Sequence, residues 1–436
     1  MSCPIGSATA PEPAAAARAA LHGPSPEAFG HYTWLREHAP VFADPGSGTY
    51  VISGYAQCRF VLQNPDIFRS PHDGELARRN RVGNGARTGS VLGGMITTDI
   101  LNTGGATHRR LRAALAPAFS PPRLKLMRPA IEATVAELVG DALGRLAAGD
   151  VVDFHEAFSL PLPLAVVGEL IGIPPADRPM LRAISVAIAP PDRGVPGQAE
   201  TGARKLAELT AYLDDLIEQR RREPRDDLIS ALVARTGRDD DQRLTLDEAR
   251  TMCYVMQLAG YDTTVAGIDS LAVTLLTHPE LGGQLTDDRS AMKFIDEVLR
   301  WAGVAKTANG VRYATRDTEL CGVRIPAGSE VSMIIGTAHR DPQAFERPSE
   351  LDFSRRGTPA LTFGTGIHFC AGAPLARMEM MLLLREVQER LPGLTLAGPP
   401  VPSANRTLVT YASIPTSLPR DSGAVGEGPA GEGSTT

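Results

Sequence analysis

The stretch "LTLDEARTMCYVMQLAGYDTTVAGIDSLAVTLLTH", residues 244–278, constrains the fold more than any other part of the chain. Its periodicity is helical and its apolar residues fall on most faces. A helix of roughly 30 residues is about 45 Å long, enough to cross a whole domain. One that is apolar nearly all round has to be buried, so the rest of the chain must pack around it. Thr245 and Glu248, three apart at its start, form a candidate capping box. Two more long helical patterns, 125–149 and 199–223, supply material for that packing, and 436 residues are enough for a large core. Strand-like segments are short: 48–54, 310–315, 318–328 and 329–338. The expected fold is mainly α with small β-sheets in a single large domain.

No internal repeat or linker divides the chain. Residues 1–25 read as a flexible N-terminal segment, 26–418 as the folded domain, and the Gly-, Ser- and Glu-rich 419–436 as a disordered tail. The N-terminus lacks a basic stretch followed by an apolar core, and no run of about 18 apolar residues occurs, so neither a secretory signal nor a membrane span is expected. A net charge of −6 with no Lys/Arg run argues against nucleic acid as the partner. The five cysteines (Cys3, Cys58, Cys253, Cys321 and Cys370) are scattered, odd in number and without a CxxC pair. They point to free thiols and a cytoplasmic location rather than a disulfide framework.

Cys370 lies in "FGTGIHFCAGAPLARMEM", residues 363–380. Gly364, Gly366 and Gly372 permit torsions other residues avoid and let a flat, bulky group approach the main chain. Pro374 marks a helix start. A cysteine there meets unpaired N–H groups and the positive end of the helix dipole, which lower its pKa and suit a metal ligand or a nucleophile. Taken alone, the plainer reading of a small buried cysteine beside a turn is the better one.

The surrounding residues reverse that preference. Phe363, Gly366, His368, Cys370 and Gly372 resemble the FxxGxHxCxG haem-binding signature of bacterial members of the cytochrome P450 family, and the family's order of elements extends over nearly the whole chain. The resemblance implies the cytochrome P450 fold, haem b as cofactor, and Cys370 as the proximal iron ligand, whose thiolate favours O–O cleavage. It puts Thr362, Phe363, Gly364 and Gly372 against the haem. "AGYDTT" on the long helix has a plain reading, with Gly260 at a packing crossing and Thr263 bonded back to a carbonyl. It also resembles the family's oxygen-binding motif. That implies a widened turn at Ala259 and Gly260, with Asp262 and Thr263 as an acid–alcohol pair for proton delivery; Tyr261 fills a variable position. Glu297 and Arg300 share a helix face in "DEVLRW" and, with Arg355, resemble a buried structural network supporting the cysteine loop. The haem propionates would be met by His108 and Arg112 of "HRRLR", by Arg312 and by His368, while Arg109 and Arg110 read as solvated. Ala360, Ala302, Gly303 and the "GGATHRRLR" approach depart from the usual pattern in ways that bear on loop geometry only.

The resemblance further implies a monooxygenase that inserts one oxygen atom into a small organic substrate, such as a secondary metabolite. Oxidative coupling, cyclisation or desaturation by the same haem is the alternative, and a non-catalytic haem protein that binds a ligand is a third reading. The sequence has no flavin, nicotinamide or iron–sulfur motif, so electrons would come from a ferredoxin-type partner with its reductase. That partner would dock near Arg109, Arg110 and Arg377. The implied substrate pocket takes Val255, Leu258 and Ala259 from the long helix, residues 304–309, and the turn from Tyr411 to Ile414. Lys306, Thr307, Asn309 and Tyr411 are its possible polar anchors, and the segments 70–105 and 175–198 its distal loops.

Overall fold

The computed structural model describes residues 12–22, 25–71, 99–188, 198–237, 243–308, 310–403 and 407–419. The long helix runs from Leu246 to Thr277 and opens with the expected capping box. The Thr245 hydroxyl accepts the Glu248 N–H at 3.1 Å, and Glu248 accepts the Thr245 N–H at 2.9 Å. Met252, Val255, Ala266, Ile268 and Leu271, spread around its circumference, are all buried, as an apolar surface of that extent demands. Helices Pro121–Ala147, Pro161–Ile171, Gln198–Arg222, Asp288–Trp301 and Ala373–Arg390 complete the helical body. Gly260 lies at a tight helix crossing, since a Cβ there would stand 2.8 Å from Val167 Cγ2. The plain packing reading of that glycine therefore holds.

Arg110 differs from its expected solvated position. Its guanidinium grips Glu248 in a fork, at 2.7 and 2.6 Å, tying helix Gly105–Leu115 to the first turn of the long helix. Burial pushes the Glu248 carboxyl up, but hydrogen bonds from Arg110 and Thr245 outweigh it and hold the group below its usual range.

The five-stranded sheet has the order Val41–Ala43, Tyr50–Ile52, Glu330–Met333, Arg312–Ala314, Phe68–Arg69. Its pairs are antiparallel except Tyr50–Ile52 with Glu330–Met333, in register Tyr50 to Val331. The predicted strand 329–338 is strand only to Met333; Ile335–Ala338 is a helical turn. Residues 13–22, expected to be flexible, form a helix that buries Ala16, Ala17 and Ala20 against Tyr32, Leu35 and Ile334. The small size of alanine allows the close approach, and an alanine run has little periodicity to betray it. Cys58, Cys253 and Cys370 are free, but Cys321 is disulfide-bonded, against the expectation of unpaired thiols, and its partner lies outside the described residues. The predicted tail from 420 onward, Asn309, and most of the two distal loops also lie outside them. Among the described residues no helix is long and apolar enough to cross a membrane.

Candidate active site

The loop before helix Ala373–Arg390 folds back on itself. Cys370 N–H donates to the Phe363 carbonyl at 2.9 Å and Gly364 N–H to that of Leu361 at 2.9 Å. Gly364 and Gly366 sit in the left-handed region, at φ +70° and +74°. At Gly366 a Cβ would also stand 2.5 Å from the Leu62 carbonyl oxygen, so only glycine fits there. Gly372 has an ordinary φ of −82°, contrary to the torsional role expected of it. A Cβ there would meet Phe119 and Cys370 Sγ at ordinary contact distances of 3.6 and 4.0 Å. Its value lies in keeping the surface beside the sulfur thin.

The thiol of Cys370 receives N–H groups from Gly372 and Ala373, as the helix start dictates. Burial nevertheless dominates and pushes its pKa up, against those donors and the charges of Arg112 and Arg377. The expected lowering is thus reversed by desolvation. A bound metal cation would remove the conflict, because coordination deprotonates a thiol outright.

Beside this loop the structure gathers His108, Arg112, Arg312 and His368, from two helical segments and the sheet. The two imidazoles are T-stacked with centroids 4.4 Å apart, and His368 Nε2 lies 2.9 Å from Ser70 Oγ. Burial, and then repulsion from Arg312, His108 and Arg112, pushes His368 down to about 3; His108 is lowered by burial and by its arginine neighbours. Burial also lowers Arg312 to about 10. Among the described residues no carboxylate forms an ion pair with any of the four, and the buried His108 Nε2 and Thr362 Oγ1 have no hydrogen-bond partner. A set of basic donors, His108 and Arg312 buried and Arg112 and His368 half-buried, with no carboxylate among them is complementary to a dianion. The two propionates of haem meet that requirement, so the residues present fit the cofactor.

The structure also brings together the predicted Glu297, Arg300 and Arg355. Arg300, 1% exposed, donates Nε and Nη2 to Glu297 at 2.8 and 2.7 Å, and Arg355 Nε approaches both carboxylate oxygens at 3.2 and 3.3 Å. Sequence reasoning missed the link from this network to the loop, which is His339. Its carbonyl accepts from Arg300 at 2.8 Å, while its Nε2 accepts the Leu361 N–H at 2.9 Å. Burial first, then Arg300 and Arg340, lower its pKa to about 3, so it is a neutral acceptor. The pair "HR" ahead of "DP" in the sequence is its only signal.

On the long helix Asp262 is half-buried and desolvation raises its pKa to about 6. Thr263 is exposed, and its hydroxyl donates to the Ala259 carbonyl at 2.6 Å. The helix is continuous through these residues, so the expected widened turn is absent and the plain back-bonding reading of Thr263 applies. Val255 and Val304 are buried, and Leu258, Ala259 and Tyr411 half-buried. The 304–309 segment and the C-terminal turn are joined, with Lys306 N–H donating to Thr407 O and Val409 N–H to Val304 O, both at 2.9 Å. Lys306 itself departs from expectation. Its Nζ reaches toward the Leu21 carbonyl, 3.4 Å away at the end of helix Pro13–His22. A cation at a helix C-terminus is electrostatically favoured, which accounts for the difference. Of the three docking cations, Arg110 is held by Glu248, and Arg377 pairs with Asp296 at 2.7 Å while lying over the Phe363 ring. Arg109 stands exposed.

Comparison with known proteins agrees with this geometry. The family model described as "Cytochrome P450" matches residues 185–391. Cytochrome P450 BJ-3 of Bradyrhizobium diazoefficiens is 35% identical over 420 residues, covering 92% of this chain and 95% of that one. The 6-deoxyerythronolide B hydroxylase of Saccharopolyspora erythraea is 34% identical over 376 residues, covering 84% of this chain and 89% of that one. Among solved structures, the myxobacterial cytochrome P450 CYP267B1 with myristic acid superposes with a TM-score of 0.80 at 30% identity, covering 92% of this chain and 99% of that one. The chain belongs to the cytochrome P450 family. It is a haem-dependent monooxygenase with the family's mainly helical, single-domain fold.

Proposed function

We propose that this enzyme uses haem b, ligated by Cys370, to hydroxylate a mid-sized, largely apolar secondary metabolite, with electrons from a ferredoxin-type protein and its reductase in the cytoplasm. The observation that carries the reading is the donor set of buried His108 and Arg312 with half-buried Arg112 and His368, none ion-paired to a carboxylate among the described residues, beside a cysteine whose thiolate is disfavoured unless it meets a cation. When bound, the haem supplies oxygen activation and transfer. Everything else falls to the chain. Arg312, Arg112 and the two histidines hold the propionates, and the Gly364–Gly366 turn keeps the main chain close to the ring. Glu297, Arg300, Arg355 and His339 hold the loop in place.

Asp262 is the group suited to proton movement, because a pKa near 6 lets it take up and release a proton close to neutral pH. The Thr263 hydroxyl, given to the Ala259 carbonyl at rest, can turn to pass that proton on. Val255, Leu258 and Val304 supply an apolar wall and Tyr411 a directional contact. Relatives with names such as 6-deoxyerythronolide B hydroxylase and mycinamicin IV hydroxylase/epoxidase support a substrate of that class.

The test is a panel of apolar metabolites scored by haem spin-state shift, then turnover under isotopically labelled O2 with a surrogate ferredoxin and reductase. Label in the product supports hydroxylation. A product carrying no label, with coupled NADPH use, would replace it with coupling or desaturation.

A further inference from the structure

His155 and Asp269 form a buried pair that the proposed chemistry does not use. Asp269 lies on the long helix two turns after Asp262 and is 0% exposed. His155 Nδ1 lies 3.0 Å from both of its carboxylate oxygens. Burial alone would discharge the imidazole, but Asp269 first, then Asp153 and Glu156, outweigh it and raise its pKa. A buried charge pair of this kind is costly to build and contributes little net stability, so its place in the fold asks for another reason.

That reason lies in the backbone it reaches. Asp269 Oδ2 also accepts the Tyr411 N–H at 3.3 Å. Three residues further along the chain, the Ile414 N–H donates to Asp153 Oδ1 at 2.9 Å, and the same oxygen accepts the His155 N–H at 3.0 Å. Phe154 N–H donates to the Ile414 carbonyl at 2.8 Å. The strand Tyr411–Ser413 is therefore fastened at one end to the long helix through Asp269 and at the other to the turn that carries His155. The residues just before this strand are the ones bonded to Val304 and Lys306.

We infer that the His155–Asp269 pair is a positioning device for substrate selection: it sets where the Tyr411 strand stands against the long helix, and so the reach of the pocket wall. This rests on the haem reading of the site. His155 orients the carboxylate through its Nδ1, and the carboxylate fixes the Tyr411 backbone. Neither side chain need touch the substrate.

The test uses the full-length holoprotein and two iron-binding probes read by Soret shift, imidazole and the bulkier 4-phenylimidazole. Replacing both partners together (His155→Leu with Asp269→Leu) strands no charge, so the variant should fold. Imidazole affinity should stay within about twofold, while 4-phenylimidazole affinity changes about tenfold and amide exchange across 411–414 quickens about tenfold, as for loss of one charge-assisted hydrogen bond. His155→Gln, which keeps a neutral donor, should fall between wild type and the double variant. An unchanged ratio of the two affinities, whether both hold or both fall, overturns the assignment. Faster exchange in the variant, with no Soret response to either probe in wild type, would instead overturn the haem reading and leave the pair's hold on this strand standing.

Discussion

Replacing Glu297 by Gln tests how the cysteine loop is held. The change keeps the shape of the side chain and removes its charge. Wild-type Glu297 accepts two charge-assisted bonds from Arg300, two longer ones from Arg355 and the Asp352 N–H at 2.9 Å. The variant leaves two guanidinium groups facing one another, one of them 1% exposed, with a neutral amide that offers a single acceptor oxygen. Removing one partner of a buried pair costs about 3–5 kcal/mol. That is a large part of the roughly 5–15 kcal/mol that stabilises a typical domain. The loss should fall first on the Leu361 end of the loop, since Arg300 also holds the His339 carbonyl. Denaturant unfolding of the holoprotein gives the magnitude, and the rate of haem transfer to a scavenger apoprotein gives the location. The control is Arg324→Ala, which breaks the exposed Arg324–Asp317 pair and should leave both readings unchanged. A Glu297→Gln protein within about 1 kcal/mol of wild type, far below the buried-pair cost, would refute the reasoning.

Asp262 makes a pH-dependent prediction. Its folded pKa, about 6, exceeds the ordinary 3.8, so ionisation opposes folding: the native state loses stability as pH rises from about 4 through 6. The difference corresponds to at most about 3 kcal/mol. Asp262→Asn should therefore stabilise the protein at pH 8 and do nothing at pH 3.5, while slowing turnover about 100-fold; equal effects at both pH values would contradict it. Thr263→Ala should retain the haem spectrum yet divert electrons from product to peroxide, measured as product formed per NADPH, and unchanged coupling would remove Thr263 from proton delivery. Arg312→Leu should stabilise the apoprotein, where the guanidinium is buried without a carboxylate partner, and speed haem loss about tenfold, the value of one charge-assisted hydrogen bond. Unchanged haem retention would mean that Arg312 does not face a propionate.

The elements legible in the sequence are those whose cause is local or whose pattern is long. The long helix announces itself through its capping box and unbroken apolar run, and the cysteine loop through glycines that two positive φ values require. Distant pairings are not legible. Glu248 reads as a cap, but its cation, Arg110, lies 138 residues away and reads as solvated. His155 and Asp269, 114 residues apart, carry no spacing signal at all. The chain neighbours of Lys306 point it into the pocket, whereas its side chain answers to the end of a helix whose composition suggests flexibility. For Cys370 the local rule of a helix N-terminus is sound. The competing effect, burial, depends on the whole fold and wins.

Whether Cys370 is the thiolate ligand of a haem is tested most directly by the spectrum of the reduced, CO-bound protein. Wild type and Cys253→Ser should both show the strongly red-shifted Soret band of thiolate ligation, because Cys253 is buried in the helical core and plays no part in the loop. Cys370→Ser should lose the shifted band. A Cys370→Ser protein that kept it, or a wild-type protein that bound haem without ever showing it, would contradict the assignment.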